Sequence, residues 1–342
     1  MTAGLFFFFL ALMAFGKWVE RWSQTPILIA SPQVVNLPAK ASLRQFSHLL
    51  FTQDIINNEL FFHIWVRWKG FYPHFQAGSY QFVDQVSPQD IASKVLSGEV
   101  YNPVSFEITI PEGYSLQQTI DKINSAGIGK GVVALTALAK KEEFLSQVHV
   151  NAPSLEGFLY PATYKFYKEK PSAEKIYQAM VEEFFKRLPN DYESKLHAQG
   201  LSLYQGVILA SLIEKETFQP EERNFIAEVI LNRLKVNMPL GIDAALIYGI
   251  KDYDGTIRFK DLQDASNPYN TRIHRGLPPT PIASPSLEAL LAVVSPTNHG
   301  YFYYVLLPGD EKKHHFSSNL KEHNLYVHKL VDSLHQKKAA NE

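Results

Sequence analysis

The hydrophobic residues of this chain are distributed differently in its first, middle and last parts. The run from Thr2 to Gly16 carries no charge, and Trp18 and Trp22 follow it. Extended a little further, with Lys17 directing its ammonium group outward, the run reaches the roughly 17–25 residues that span a bilayer. This pattern predicts a membrane-anchor helix over residues 1–22, with a cleaved signal peptide or a buried helix as the alternatives.

Residues 23–105 combine short, proline-bounded apolar segments with amphipathic ones, which predicts a small α/β region. Apolar residues around Phe46 recur at helical spacing, which predicts a helix there. A further apolar helix, a strand from Gly78 to Val83 and a short helix that ends at Gly98 are expected after it.

One sequence pattern occurs twice. It consists of a strand, a proline, a short turn and a Ser-Leu pair that precedes a helix. The pattern starts at Val35 and again at Ile108. Two copies are too few for a solenoid. The second copy suits a LysM-like wall-binding subdomain over residues 106–150, and a generic strand–turn–helix unit is the alternative.

Residues 151–335 are predicted to form a larger, mixed α/β domain. Helices are expected over Ala173–Leu188, Tyr204–Glu216, Glu221–Lys235 and Asp243–Tyr248. A proline-rich loop, another helix, two strands and a final helix complete it. The fold class expected for the chain is therefore α+β, with an N-terminal anchor helix, a small α/β region containing a LysM-like subdomain, and the mixed α/β domain.

The helix that contains ILASLIEKET is apolar on nearly all sides, which is typical of a central helix. Ser211, Glu214 and Thr217 are spaced by three and form one narrow polar stripe, whereas Glu216 points about 200° away from Glu214. Poor hydration keeps such a carboxyl protonated near neutral pH, as a general acid requires. The alternative is that both glutamates mark the solvated end of the helix.

Two later segments offer further polar groups. Asp243 opens an apolar helical run, where it can serve either as N-cap or as a substrate-binding carboxylate. The loop that starts at Asn267 combines prolines with amides, hydroxyls, aromatic rings and cations. Such a rigid polar loop suits a sugar, which needs hydrogen-bonding groups at its edge and an apolar face to rest on. A purely structural loop is the alternative.

Composition narrows the classes of function. The 342 residues carry a net charge of −1, so no basic surface for nucleic acid is indicated. The chain has no cysteine, which excludes disulfides and thiolate zinc sites. His314, His315 and His323 lack the spacing of a zinc motif, and no nucleotide-binding or serine-hydrolase motif occurs, so we expect neither a metal nor a cofactor.

Six segments, in this order, resemble the endolytic murein transglycosylase (YceG-like) family, and they cover about residues 150–330. They are LEGFLYPATY, ILASLIEKET, VILNRL, PLGIDAALIYG, NPYNTRIHRGLPPTPIASPS and HHFSSNLKEHN. Each segment alone is weakly specific, whereas six in order are highly specific. The first part of the chain resembles the family only in its layout.

The resemblance implies an enzyme that cuts nascent peptidoglycan strands internally, between MurNAc and GlcNAc, and leaves 1,6-anhydro-MurNAc ends. Glu214 is implied as its catalytic acid and base. The positions expected to bind substrate are Ser211, Asp243, Tyr248, Asn270, Thr271, Gly276, Leu277 and Pro278. Glu156 lies in the segment that resembles the family's LEG motif, and a structural role there is the alternative.

The chain departs from the family pattern at three places. It has Gly241 to Ala244 where members often have Gln-Ser/Thr-Asp-Pro, Arg272 where an aromatic residue often follows YNT, and Thr280 where Gly usually follows GLPP. None of these departures involves Glu214, so we expect them to bear on subsite preference.

The resemblance also implies a single-pass protein of the plasma (inner) membrane with an extracytoplasmic catalytic domain. Its expected partners are glycan strands, the membrane and peptidoglycan synthases, beside which it would end strand growth. Two other functions are left open. One is a hydrolytic muramidase, for which Asp243 is the candidate second carboxylate. The other is a non-catalytic wall-binding scaffold.

Overall fold

The computed structural model describes residues 2–167 and 169–340 and, within these ranges, all side chains except those of residues 2–10, 12, 310–311 and 338–340. The chain forms two compact units, Met1–Val104 and Ser105–Glu342. Both units contain helices and strands, so the mixed α/β class predicted from the sequence is confirmed.

The first unit joins antiparallel strand pairs to amphipathic helices. Its helices are α1 (Thr2–Ser23), α2 (Leu43–Thr52), α3 (Glu59–Trp68) and α4 (Pro88–Ser97), and a 3₁₀ helix spans Tyr72–His74. Its strands are β1 (Ile27–Leu28), β2 (Gln33–Leu37), β3 (Gly78–Phe82) and β4 (Gln85–Val86), with β1 paired to β4 and β2 to β3.

The core of this unit follows from strand alternation and helix amphipathicity. Val35 and Leu37 of β2 are buried because alternate side chains of a strand point to the same face. They share one hydrophobic cluster with Phe46 of α2 and with Phe62 and Trp65 of α3. The helical spacing noted around Phe46 therefore marks the face of α2 that is buried.

Two tryptophans of α1 pack within the first unit. Trp18 and Trp22 both contact Phe61 of α3 edge to face, with ring centroids 4.8 and 5.7 Å apart. Trp22 Nε1 also donates a hydrogen bond to Asn57 Oδ1 (2.9 Å). The side chains of residues 2–10, on which the anchor prediction depends, lie outside the described part of the chain. Among the described residues, no single helix has both the length and the hydropathy to cross a bilayer.

The second unit holds most of the helices. They are α5 (Leu116–Ser125), α6 (Val132–Leu138), α7 (Glu142–Gln147), α8 (Ala173–Arg187), α9 (Tyr192–Ala198), α10 (Leu203–Glu216), α11 (Arg223–Lys235), α12 (Asp243–Tyr248), α13 (Phe259–Leu262), α14 (Leu287–Val294) and α15 (Leu320–Ala340). The strands are β5 (Val104–Thr109), β6 (Thr163–Tyr167), β7 (Tyr303–Leu307) and β8 (Asp310–Ser317), and β7 pairs antiparallel with β8.

Strands β5 and β6 pair with each other although α5, α6 and α7 lie between them in the sequence. Thr109 Oγ1 lies 2.8 Å from Thr163 Oγ1, and Lys165 Nζ lies 3.4 Å from Glu107 Oε2. Partner numbers rise along one strand as they fall along the other, which is the order of an antiparallel pair. Residues 106–150 share one hydrophobic core with the rest of this unit, and their assignment as a LysM-like subdomain stays a prediction.

Helix α10 lies at the centre of the second unit, as its sequence predicts. Val207, Leu209 and Leu212 are fully buried, and the helix packs against α9, α11, α12 and α14. With α9, from which it is bent by 91°, it has the length and composition of a broken bilayer span. One predicted boundary is wrong: residues 221 and 222 belong to a 3₁₀ helix, Pro220–Glu222, because Pro220 starts a separate turn.

Both copies of the repeated pattern form a strand, a turn and a helix. β2 precedes α2, and β5 precedes α5. Ser42 caps α2 and Ser115 caps α5, in each case with a capping box completed by a glutamine three residues later. The serine oxygen accepts from an amide that has no partner inside the helix, so each helix begins where the Ser-Leu pair predicts.

Candidate active site

Glu214 lies in the last turn of α10 and is 7% exposed. Its Oε2 accepts hydrogen bonds from the backbone amide (2.9 Å) and the hydroxyl (2.6 Å) of Ser286. Ser286 is the N-cap of α14, and its hydroxyl oxygen also accepts from the amide of Ala289. The start of a helix stabilises negative charge. One carboxyl oxygen is therefore fixed, while Oε1 makes no hydrogen bond to a described residue.

The polar stripe of α10 faces the segment that leads into α14. Ser211 Oγ accepts from the amide of Ile282 (3.1 Å) and donates to the carbonyl of Ile208 (2.7 Å). Ser211 and Glu214 thus hold the two ends of residues 282–286, whereas Thr217, the third residue of the stripe, binds Glu222. A contact of Ser211 with substrate stays a prediction. Ser211 itself is fully buried.

A loop from the second copy of the repeated pattern is tied to the same segment. The amide of Gly113 donates to the carbonyl of Ser284 (3.0 Å), and the amide of Ser284 donates to the carbonyl of Tyr114 (2.7 Å). Lys215 Nζ donates to the carbonyl of Gly113 (3.3 Å). Gly113 has a φ of +68°, and a Cβ at this position would lie 3.8 Å from Glu214 Cγ. The loop thus reaches the end of α10 beside Glu214.

This loop brings a second carboxyl, Glu112, into the surroundings of Glu214. Partial burial raises the pKa of the Glu112 carboxyl, and the charges of Glu214 and Glu288 raise it further. The guanidinium of Arg223 opposes this rise. Neither Glu112 nor Arg223 stands out in the sequence as a site residue. The Pro-Glu-Gly turn was visible in the repeated pattern, but nothing in that pattern linked it to α10.

Glu156 is a buried carboxyl that binds the chain just after the Glu112–Gly113 loop, at the start of α5. Its Oε1 accepts from the amide of Leu116, the first residue of α5 (2.9 Å), and its Oε2 accepts from the hydroxyl of Tyr248 (2.6 Å). Burial raises the pKa of Glu156 to about 7, although both hydrogen bonds favour its ionised form. Burial, together with Glu156, also raises the pKa of Tyr248. Both residues line a cavity of about 310 Å³ that also includes Tyr269 and Thr280.

The opposite side of α10 carries Glu216, which accepts a hydrogen bond from the hydroxyl of Tyr304 (2.6 Å). Burial raises the pKa of Glu216, the hydrogen bond from Tyr304 lowers it, and the charge of Asp243 raises it. Glu214 and Glu216 therefore have separate partners, as the helical geometry predicts.

Asp243 does not occupy the N-cap position considered for it. Ile242 is the N-cap of α12, and Asp243 is the first helical residue, where a carboxylate is favoured by the helix dipole. Its side chain is half-exposed and forms an ion pair with Arg272. A carboxyl whose pKa the charge of Glu214 does raise is Glu112.

Two polar residues of the proline-rich loop use their side chains to hold the backbone. Asn270 is fully buried, and its Nδ2 donates to the carbonyls of Leu262 (3.2 Å) and Asp264 (3.0 Å). Thr271 is 1% exposed, and its hydroxyl oxygen accepts from the amide of Ile242 (2.9 Å). These contacts fix the loop against α12 and α13, and a direct contact of either residue with sugar stays a prediction.

Comparison with known proteins identifies the family. The sequence profile of the YceG-like family matches residues 35–329. This chain belongs to the YceG-like family. The protein named endolytic murein transglycosylase in Bacillus subtilis strain 168 is 30% identical over 93% of this chain and 89% of its own length.

Other members of the family are similar over most of the chain. An endolytic murein transglycosylase of Streptococcus pneumoniae serotype 2 is 29% identical over 96% of this chain, and the chain spans 65% of that relative's length, just under two thirds. The crystal structure of a yceG-like protein from Listeria monocytogenes superposes with a TM-score of 0.58 at 29% identity, covering 86% of this chain and 98% of the other.

Two residues at which this YceG-like chain departs from the family pattern have partners in the structure. Arg272 forms the ion pair with Asp243. Thr280 Oγ1 lies 2.8 Å from the hydroxyl of Tyr269, whose ring contacts that of Tyr248 edge to face at 4.9 Å. The departures therefore lie around Asp243 and the cavity beside Glu156.

The family turn that includes Gly276, Leu277 and Pro278 crosses the surface of the second unit. Gly276 has a φ of +88°, a left-handed conformation that glycine adopts without strain. Leu277 packs on the core, and Pro278 is buried. The arrangement holds the turn rigidly, and its contact with substrate stays a prediction.

Two histidines of the last family motif are paired with carboxylates. His314 Nδ1 lies 2.7 Å from Glu222 Oε2, and His315 Nε2 lies 2.9 Å from Glu322 Oε1. Within residues 2–167 and 169–340, no group of three or more histidine or carboxylate side chains has the arrangement of a metal site.

Proposed function

We propose that this protein is a membrane-anchored endolytic peptidoglycan transglycosylase in which Glu214 is the general acid and base. Family membership and relatives that carry this name support the enzyme class. The observation that carries the residue assignment is the asymmetric environment of Glu214. Ser286 holds Oε2 at the start of α14, and Oε1 is left without a hydrogen bond to a described residue. A proton-transferring carboxyl needs this combination of a fixed position and an available oxygen.

The proposed reaction is an intramolecular transfer. Protonated Glu214 gives its proton to the oxygen that joins MurNAc to GlcNAc, and the bond from that oxygen to the anomeric carbon breaks. The carboxylate of Glu214 then takes the proton of the MurNAc 6-hydroxyl while the 6-oxygen bonds to the anomeric carbon. The proton lost by Glu214 is thereby recovered, and no water is consumed, so one carboxyl suffices.

A hydrolytic muramidase is the second candidate, and Glu112 rather than Asp243 is the residue that favours it. Hydrolysis requires another carboxylate near the acid, to activate water or to attack the sugar. Glu112 meets this need because its loop is tied to Ser284 beside Glu214, and because the charge of Glu214 raises the pKa of the Glu112 carboxyl. Its product would be a reducing MurNAc end instead of an anhydro end.

The test uses the full chain, Glu214→Gln and a matched control, Glu216→Gln, each incubated with uncrosslinked peptidoglycan strands. Mass spectrometry then identifies the ends of the fragments. We expect anhydro-MurNAc ends from the wild type and the control, and a loss of rate of about 10²–10⁴-fold in Glu214→Gln. Reducing ends would establish the muramidase. Equal rates for Glu214→Gln and the wild type would reject Glu214 as the acid.

We also propose that α1 anchors the protein in the plasma membrane, with the second unit on the extracytoplasmic side, where it cuts strands beside peptidoglycan synthases. The uncharged run from Thr2 to Gly16 supports the anchor. Sedimentation of membranes from cells that express the full chain, or a chain without residues 1–22, tests it. Equal recovery of both in the soluble fraction would reject the anchor.

A further inference from the structure

Arg223, the first residue of α11, is a buried cation that forms no hydrogen bond to the described residues. It is 8% exposed, its Nε is sealed from solvent and unpaired, and among the described residues its guanidinium forms no ion pair. An unpaired buried polar group is costly, because desolvation is not compensated by a new bond. Such a group in a native structure calls for a functional explanation.

The neighbours of Arg223 along the chain are committed elsewhere. Glu222 accepts hydrogen bonds from the amide of His314 and from the hydroxyl of Thr217, and its Oε2 contacts His314 Nδ1. Asn224 donates to the carbonyl of Ser295. No carboxylate adjacent in sequence is therefore free to neutralise the guanidinium.

Arg233, on the same helix, shows how a structural arginine is held in this unit. Its Nε donates to the carbonyl of Phe302 and its Nη1 to the carbonyl of Leu240. Both arginines are largely enclosed, but within the described part of the chain Arg233 has backbone acceptors and Arg223 has none. The difference indicates that the acceptor for Arg223 arrives with a ligand.

The position of Arg223 places it near the candidate acid. Thr217, which ends α10, is tied to Glu222 by a hydrogen bond of 3.2 Å, so the beginning of α11 is held at the end of the helix that carries Glu214. The positive charge of Arg223 also acts on Glu112, whose loop is docked beside Glu214. Arg223 therefore belongs to the same site.

We propose that Arg223 binds the lactyl branch of the MurNAc residue that is cleaved, through a carbonyl or carboxylate oxygen of that branch. The proposal rests on the proposed function. Hydroxyl and acetamido groups occur on both sugars of the strand, whereas the lactyl branch, with the peptide stem attached to it, occurs only on MurNAc. A guanidinium prefers planar carbonyl and carboxylate acceptors. A fixed cation at this point would select MurNAc over GlcNAc for the position at Glu214.

The experiment measures the dissociation constant of three glycans in the inactive Glu214→Gln background, with and without Arg223→Gln, using the full chain. The glycans are stem-bearing strands, strands stripped of their stems by an amidase, which leaves a free lactyl carboxylate, and chitooligosaccharides of equal length, which lack the branch. Arg258→Gln is the control for charge, because Arg258 is exposed and paired with Asp254. Arg223→Lys keeps the positive charge but replaces the planar guanidinium group with an ammonium group.

We expect Arg223→Gln to weaken the binding of both lactyl-bearing strands by about ten- to a hundredfold, and to change the binding of chitooligosaccharides hardly at all. Arg223→Lys should fall between Arg223→Gln and the wild type, and Arg258→Gln should match the wild type. Stripped strands that depend on Arg223 as strongly as stem-bearing ones identify the lactyl group as the acceptor. Dependence confined to stem-bearing strands places the acceptor on the stem and overturns the proposal.

Two other results also overturn the proposal, namely unchanged binding in both Arg223 variants and an equal loss of binding for chitooligosaccharides. Circular dichroism shows whether each variant is folded, and if Arg223→Gln is not, Arg223→Lys decides. Failure of the wild type to cleave any strand, with Arg223-dependent binding intact, would instead defeat the proposed function and leave the binding site established.

Discussion

The segments that start at Val35 and Ile108 each form a strand, pass a proline and enter a helix capped by serine. They differ in the turn between proline and serine. The first copy has Ala39 and Lys40, which are exposed, and Lys40 has an ordinary negative φ. The second has Glu112 and Gly113, and Gly113 has a φ of +68°.

The two turns also differ in what receives them. In the first unit, the hydroxyl of Tyr72 donates to the carbonyl of Ala41, and this is a structural contact. In the second unit, Ser284 exchanges backbone hydrogen bonds with Gly113 and Tyr114 next to Glu214. The same local pattern therefore yields the same local fold, and the surrounding chain decides whether the turn takes part in a site.

The largest effect that separates the two copies should be a pH dependence of stability caused by Glu156, which holds the start of α5. Its pKa of about 7 lies above its ordinary value of 4.5. The raised value means that its contribution to stability is fully present below pH 4.5 and is lost as pH rises through 7. This shift in pKa corresponds to about 3 kcal/mol of the free energy of unfolding.

Urea unfolding of the wild type and Glu156→Gln at pH 5 and pH 8 measures this contribution. We expect the wild type to lose about 3 kcal/mol more between these two values than the variant, because glutamine does not titrate. His48→Gln in the first unit, where the histidine is exposed and contacts Glu59, is the control. Parallel pH profiles for the wild type and Glu156→Gln would contradict the assignment.

Gly113→Ala compared with Lys40→Ala should give the next largest effect. Alanine at a φ of +68° costs about 1 kcal/mol, whereas Lys40 needs no special conformation. The new Cβ would meet Glu214 Cγ only at an ordinary contact distance of 3.8 Å. Relief of the backbone strain would instead shift the loop beside Glu214, so cleavage of glycan strands should fall on the order of tenfold. Rate assays and thermal unfolding of both variants check this. Equal rates would mean that the second turn does not position the site.

The smallest effect is expected from the two cap serines. Ser42→Ala and Ser115→Ala each remove a capping box and should destabilise their own unit by about 1 kcal/mol. Only Ser115→Ala should also slow strand cleavage, because α5 follows the loop beside Glu214. Chemical denaturation measures the loss of stability, and cleavage assays measure the rate. A slower cleavage rate in Ser42→Ala would contradict the distinction between the two copies of the pattern.

Much of the architecture was predictable because it depends on local periodicity. The amphipathic spacing around Phe46, the apolar run of α10 and the Ser-Leu caps all predicted the observed elements. Shorter helices such as α6 and α7 span too few residues for a period to be visible, and they were not predicted. The start of α11 was wrong because Glu221 and Glu222, which belong to the turn that Pro220 starts, were assigned to the helix.

The sequence by itself determined that Glu214 lies in the last turn of a buried apolar helix, because helical geometry relates nearby residues directly. It also separated Glu214 from Glu216 onto different faces. The hydrogen bonds of Ser286 to Glu214, and the effect of the Glu214 and Arg223 charges on Glu112, were decided only by the tertiary structure. These residues come from different segments, and no spacing rule relates them. For the same reason, no spacing rule relates Asp243 to Arg272, with which it forms an ion pair.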